Sequence, residues 1–190
     1  MALVDGTKWL FAQTLRKMLL SRTLHQIRIT ELCTSCGADR QTFYYHFKDK
    51  YDLVAWIYEQ TFQNILRASR GVFGQKEVQQ LLLAMQDDQS FYKKVFDDHS
   101  QNALFSYIQR VNRTYTRNAL LLKENSETLS KEMEFALRFA SHAWMHCLRD
   151  WISEDHGISA EQYAKLMCES TARLLPLGTV TIYENEEQWE

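Results

Sequence analysis

The sequence predicts an all-α protein, and three observations carry that prediction. Its 190 residues include one proline and six glycines, so long stretches run without a helix breaker. Apolar residues recur at three- and four-residue spacing along most of the chain, the period of an amphipathic helix. Hydrophobic residues make up 45% and charged residues 24%, the balance of a folded globular chain.

Each element follows from local signals. Residues 6–22 carry Trp9, Leu10, Leu15, Met18, Leu19 and Leu20 at helical spacing, with Lys8, Arg16 and Lys17 between them. The connector "LHQIRI" offers Ile27 and Ile29 to a core. A short second helix, "TELCTSC", starts at Thr30, a plausible N-cap, and stops at Gly37, which can supply the positive φ of a sharp turn. Asp39 is a good N-cap for a third helix over 39–47, and Asp49 for a fourth that reaches the region of Gly71. Helices are then expected near 76–86, 89–97, 101–123, 127–154 and 160–175, with polar breaks such as "KENSE" and "EDHGIS" between them. The second half of 127–154 is apolar or small nearly all round, which predicts burial on several sides, by its own domain and by a partner subunit. The domains expected are an N-terminal helix-turn-helix head of three helices at 1–50, a C-terminal helical bundle at 51–178 and an acidic tail at 179–190.

Charge divides along the same boundary. Residues 1–50 hold eight Lys/Arg against four acids, a net of +4, and since the whole chain carries −2 the remainder carries −6. A basic end on an acidic body suits a protein that meets a polyanion at one end. No apolar run approaches the roughly 20 residues of a bilayer span. The opening "MALVDGTKWLFAQTLRK" lacks a basic leader, so a cytoplasmic protein without a membrane partner is expected.

Cys33 and Cys36 form a CxxC, but Cys147 and Cys168 lie far off without paired spacing, so neither a zinc site nor a redox pair is indicated. Small buried residues are the simpler reading. His142 and His146, four apart beside Cys147, have chelating spacing, yet "HAWMH" lacks the glutamate of a zinc-protease HExxH and no third ligand is near in sequence. Asp87-Asp88 and Asp97-Asp98 fall where helix caps are needed. Neither a Gly-rich phosphate loop nor a GxSxG elbow is present. No enzyme, metal or cofactor is expected.

The chemistry lies in "DRQTFYYHFKDKYDL" (39–53). At about 100° per residue, Phe43 and Phe47 share one side of the third helix, the natural core face. Gln41 and Tyr45 fall roughly opposite, Thr42 and Tyr44 on the flanks, and Arg40 in the first turn. An outward Gln–Tyr–Tyr face near Arg40, Lys48 and Lys50 suits a DNA duplex: amides and hydroxyls reach base edges or phosphates, and cations neutralise phosphate.

Those residues carry a resemblance as well. "ITELCTSCGADRQTFYYHFKDKYDLVAWIYE" resembles the DNA-binding segment of the TetR family of bacterial transcriptional regulators, matching at Ile29-Thr30, Gly37, Asp39, Thr42 through Phe47, Lys48, Lys50 and Leu53. Cys33 and Cys36 stand at alanine-like positions, Asp39 replaces a serine or threonine cap, and Gln41 is bulkier than the usual glycine or alanine. The resemblance implies DNA contacts by Thr30, Arg40, Gln41, Thr42, Tyr44, Tyr45, His46, Lys48 and Lys50. Gln41 and Tyr45 are expected on bases, and Thr30, Tyr44, His46 and Lys50 on phosphates; His46 is also open to a packing role beside Phe43 and Phe47. The further likeness of "RQTFYYHFKDKYDLVAWIYE" and "QSFYKKVF" is to regulators associated with dihydroxyacetone kinase operons, which act as activators with a protein co-regulator.

By the same resemblance the protein is a homodimer joined through its last two helices. It would bind palindromic double-stranded DNA in the major groove and answer to a small-molecule effector or protein co-regulator. Phe91, Tyr92, Phe96, Phe105, Tyr107, Tyr115, Phe135, Phe139, Trp144, Trp151 and Tyr163 would in family terms surround an effector pocket; filling a core and a dimer interface is the simpler role for most of them. The competing class is a helical protein-protein interaction module that has lost DNA binding.

Overall fold

The computed structural model describes residues 2–97, 101–154, 156–175 and 180–181. Among them the chain forms α1 (Ala2–Leu19), α2 (Ile29–Ser35), α3 (Arg40–His46), α4 (Lys50–Ala68), β1 (Val72–Phe73), α5 (Gln75–Asp87), α6 (Gln89–Phe96), α7 (Gln101–Glu124), α8 (Lys131–Ser153), α9 (Ala160–Leu174) and β2 (Val180–Thr181). The fold is all-α apart from the antiparallel pairing of β1 with β2, Val72 opposite Thr181 and Phe73 opposite Val180. That pairing was not expected, and it takes two residues from the segment read as an acidic tail; the rest of 182–190 lies outside the described residues.

The chain divides into two compact units, each discontinuous in sequence. The first comprises Met1–Tyr58 and Asp88–Tyr107; the second comprises Glu59–Asp87 and Ile108–Glu190. Helices α4 and α7 each run from one unit into the other.

In the first unit α1 buries Phe11, Ala12, Leu15 and Leu19, α2 buries Leu32 and Cys33, and α3 buries Phe43. Leu24 and Ile27 anchor the connector between α1 and α2. Phe11 meets Phe43 edge-on at 5.2 Å, and Trp56 of α4 lies 5.9 Å from Phe47. Phe11, absent from the stripe expected for α1, is its most buried ring, whereas Trp9, Leu10 and Leu20 of that stripe are exposed. Helix α6 completes this core with Phe91, Tyr92, Val95 and Phe96.

In the second unit α5 lies against α9, with Val78, Leu81, Leu82 and Met85 inward. Leu120, Leu137, Ala140 and Leu175 form a further apolar cluster. Indole N–H groups reach across the bundle: Trp151 donates to the Leu82 carbonyl at 3.0 Å and Trp144 to the Thr171 hydroxyl at 2.7 Å. Tyr115 donates to the Glu59 carboxylate at 3.1 Å and accepts from the Gln63 amide at 3.0 Å. Helix α8 starts at Lys131, four residues later than expected, because the Ser130 hydroxyl accepts the Met133 N–H at 3.1 Å and so caps the helix there.

Two capping expectations need correction. Thr30 does not cap α2: it lies inside the first turn, and Arg28 is the N-cap residue. Glu31 does the work instead, its carboxylate accepting from the Arg28 N–H at 3.2 Å and from the Arg22 guanidinium at 3.0 Å. Asp88 stands at the N-cap of α6 without a side-chain capping bond, because its carboxylate is drawn to Arg16 of α1.

Candidate nucleic-acid interface

Helix α2 ends in a motif that needs glycine. The Ala38 N–H reaches back to the Cys33 carbonyl at 3.0 Å and the Gly37 N–H to that of Thr34 at 3.2 Å, with Gly37 at φ +67°. A side chain at that φ would be strained, so the sharp turn depends on this residue. Asp39 then restarts the chain, its carboxylate accepting the Thr42 N–H at 2.6 Å, and this contact holds its pKa below the ordinary carboxylate range. Beyond α3, Asp49 accepts from the Tyr51 and Asp52 N–H groups at 2.8 and 2.9 Å, while Asp52 accepts from the Lys48 N–H at 2.9 Å. Helix α3 is thus fixed at both ends by neighbouring caps, with Phe43 and Phe47 as its anchors.

The outward side of α3 holds the residues that the 3.6-residue period placed there. Tyr45 is 79% exposed and Tyr44 48%, and Arg40, Gln41 and Lys48 are exposed. The Arg40 guanidinium sits over the Tyr44 ring at 5.7 Å, while that ring meets Phe43 edge-on at 5.5 Å. Thr42 is half-buried, and Thr30 is exposed on the first turn of α2. His46 is half-buried, 4.9 Å edge-on from Tyr45, and burial together with the Lys8 cation holds its imidazole below its ordinary pKa. His46 thus sits between the outward Tyr45 ring and Phe47, 6.3 Å away, the packing position open to it in sequence.

Lys50 is placed differently from its neighbours. Its ammonium donates to the carbonyls of Leu24, His25 and Ile27 at 2.7, 3.1 and 3.1 Å, closing the connector between α1 and α2. A Lys-x-Lys spacing gives two nearby charges but not the direction of either. Nor does sequence mark Trp9, exposed on α1 and packed edge-on against Trp56 at 5.0 Å, or Lys8, whose ammonium lies 5.8 Å from the Trp56 ring.

The other candidate clusters do not build a chemical site. Cys33 and Cys36 are unpaired thiols, with Cys33 buried, Cys36 donating to the Leu32 carbonyl, and burial raising the pKa of both. Among the described residues no group of three or more potential ligands could hold a metal ion, and no helix is long and apolar enough to cross a membrane. His142 and His146 lie exposed on α8, on the same side as Phe135 (60% exposed) and Phe139 (56%); Leu166 and Leu174 are exposed on α9. These four apolar residues stand apart from Phe91, Tyr92, Phe96, Tyr115 and Trp151, which are buried.

Residues 75–172, just over half of the chain, match the family model described as transcriptional regulator C-terminal region. Over 91 residues the chain is 30% identical to the HTH-type dhaKLM operon transcriptional activator DhaS of Lactococcus lactis subsp. lactis (strain IL1403). That match takes in 47% of this chain and 49% of the relative, so the likeness spans about half of the curated protein's length. Two solved structures share the architecture. One, a dihydroxyacetone kinase operon activator DhaS, has a TM-score of 0.56 at 21% identity, covering 91% of this chain and 98% of that one. The other, a TetR transcriptional regulator from Streptococcus agalactiae 2603V, has a TM-score of 0.54 at 16% identity, covering 90% and 96%.

Proposed function

The chain belongs to the TetR family of transcriptional regulators, and from that premise we propose that it is a homodimer reading a palindromic operator through the outward face of α3. The observation that carries this reading is the division of that helix. Phe43 and Phe47 are buried, while Gln41, Tyr44 and Tyr45 face solvent beside Arg40 and Lys48. A soluble helix gains nothing by exposing two tyrosines, whereas a major groove offers donors, acceptors and thymine methyls to such a face. In this proposal Gln41 and Tyr45 meet base edges. Thr30, Thr42, Tyr44, His46, Arg40 and Lys48 meet the phosphate backbone, which fixes register without reading sequence. Lys50, expected on a phosphate, contributes chiefly by holding the connector that positions α2 against α3.

Residues 1–50 supply the DNA-reading helices, and 51–178 include the effector-binding and dimerisation surfaces. The exposed stripe Phe135, Phe139, His142 and His146 on α8, with Leu166 and Leu174 on α9, suits a four-helix interface with a second copy. Two heads on such a dimer would place their α3 helices about 34–36 Å apart, one turn of duplex. A small molecule or a protein co-regulator would act by favouring one separation of the heads, with α4 as the connecting element. The likeness to the dhaKLM operon activator supports control of a dihydroxyacetone kinase operon, with transcription raised.

Selection of bound duplex from a random pool, followed by salt titration of the winner, tests the reading. Enrichment of a palindrome whose affinity falls steeply with salt is expected. Absence of enrichment, with the α8–α9 face still joining two copies, would favour the interaction-module alternative.

A further inference from the structure

Helix α6 and the first turns of α7 lie outside the head defined by sequence, yet they belong to the same compact unit as α1–α3. Three polar ties join them to it. The Arg16 guanidinium of α1 ion-pairs with Asp88 and lies 4.4 Å from the Phe91 ring, both partners two-thirds covered. The Lys94 ammonium donates to the carbonyls of Leu19, the last residue of α1, and of Leu20 just beyond it, where a helix end presents unpaired acceptors and negative partial charge. The Tyr107 hydroxyl donates to Asp49 Oδ2 at 2.8 Å.

The Tyr107 contact is the most consequential of the three. Asp49 spends its other oxygen on the Tyr51 and Asp52 N–H groups, so one carboxylate both starts α4 and takes the Tyr107 hydroxyl. Asp49 also stands only three residues beyond His46, the last residue of α3. Fixing Asp49 fixes the turn that sets the angle of the recognition face. Helix α7 continues past Tyr107 as one helix to Glu124, so this hydroxyl sits on an element that runs on into the second unit.

We propose that Asp88, Lys94 and Tyr107 are positioning residues for DNA reading. They hold the end of α1 and the α3–α4 turn, so that α3 presents Gln41 and Tyr45 in one geometry. The proposal rests on the DNA-reading function above and deepens it: the working head is residues 1–58 together with 88–107, and not the N-terminal segment alone.

The test compares the full-length protein with Tyr107→Phe and Lys94→Met, which keep the ring and the aliphatic stem. Affinities for the selected operator and for random duplex are measured by fluorescence anisotropy, and hydrogen exchange is followed at the Tyr51 and Asp52 amides. Loss of a hydrogen bond in which one partner is charged, the Asp49 acceptor or the Lys94 donor, is expected to lower operator affinity about fivefold to tenfold. Random-duplex affinity should change little, and exchange at the two amides should quicken in Tyr107→Phe. A variant that is merely less stable would lose both affinities by the same factor, leaving discrimination intact. That result, or unchanged operator binding by both variants, would overturn the proposal while DNA reading stood. A wild-type protein that binds no duplex would instead remove the DNA-reading function, and this proposal with it.

Discussion

Replacing Tyr45 by alanine separates recognition from folding more cleanly than any other change in α3. Tyr45 is 79% exposed, so truncation removes little buried surface and should move stability by no more than about 0.5 kcal/mol. A base contact is worth about 1–3 kcal/mol of discrimination. A single phenolic hydroxyl puts Tyr45 near the lower end, a loss of about fivefold to tenfold in operator affinity. Phe43 supplies the contrast. It is fully buried, with ring neighbours Phe11 at 5.2 Å, Tyr44 at 5.5 Å and Phe47 at 5.7 Å. Truncating such a ring costs about 3–5 kcal/mol, so Phe43→Ala should fail in a urea melt before its DNA binding is worth measuring. The assay for Tyr45→Ala is fluorescence anisotropy on the selected palindrome and on a scrambled duplex at one salt concentration, with a urea melt alongside. Equal losses on both duplexes would refute a base-reading role and leave Tyr45 as a phosphate contact or a bystander.

Two further outcomes follow from the geometry. Because burial and Lys8 hold the His46 imidazole below its ordinary pKa, it is neutral in the free protein at pH 7. A phosphate partner would raise that value, so operator binding should take up a proton and tighten as pH falls from about 7 toward 6; titration of His46→Gln should lose that slope. In the free protein the sign is opposite: with a lowered folded pKa, the stability present above the ordinary imidazole value near 6.5 is lost as pH falls through the folded one, which thermal melts across that range would register. Phe139→Asp puts a charge in the middle of the α8 stripe and should shift sedimentation from dimer to monomer while far-UV circular dichroism stays unchanged, since this ring is 56% exposed in the single chain.

The helices were legible because their signals are local. Asp39 and Asp49 announced α3 and α4, Gly37 announced the turn, and the phenylalanines four apart gave the core side of α3. What stayed hidden depends on partners distant in sequence. The β1–β2 pair joins residues more than a hundred apart through two-residue strands, too short to show any alternation. Lys50 reads as a surface cation until the carbonyls of Leu24, His25 and Ile27 are brought to it. Asp88 reads as a cap until Arg16 arrives from α1. Phe135 and Phe139 stand with Phe91 and Phe96 among aromatics read together as core or dimer interface, because periodicity reports that a face is apolar and not what covers it. The outward residues of α3 were legible for a different reason: a helix that spends Phe43 and Phe47 inward has only one place to put Gln41 and Tyr45.

The most direct measurement of the central claim is selection of duplex by the intact protein from a random pool, with the winner titrated against salt. The expected winner is a palindrome with half-sites about one helical turn apart and a log-log salt slope of several phosphates. Tyr45→Ala should weaken binding to that sequence more than to random DNA. A pool that emerges unenriched, with weak binding that no sequence improves, would contradict the assignment of α3 as a reading helix.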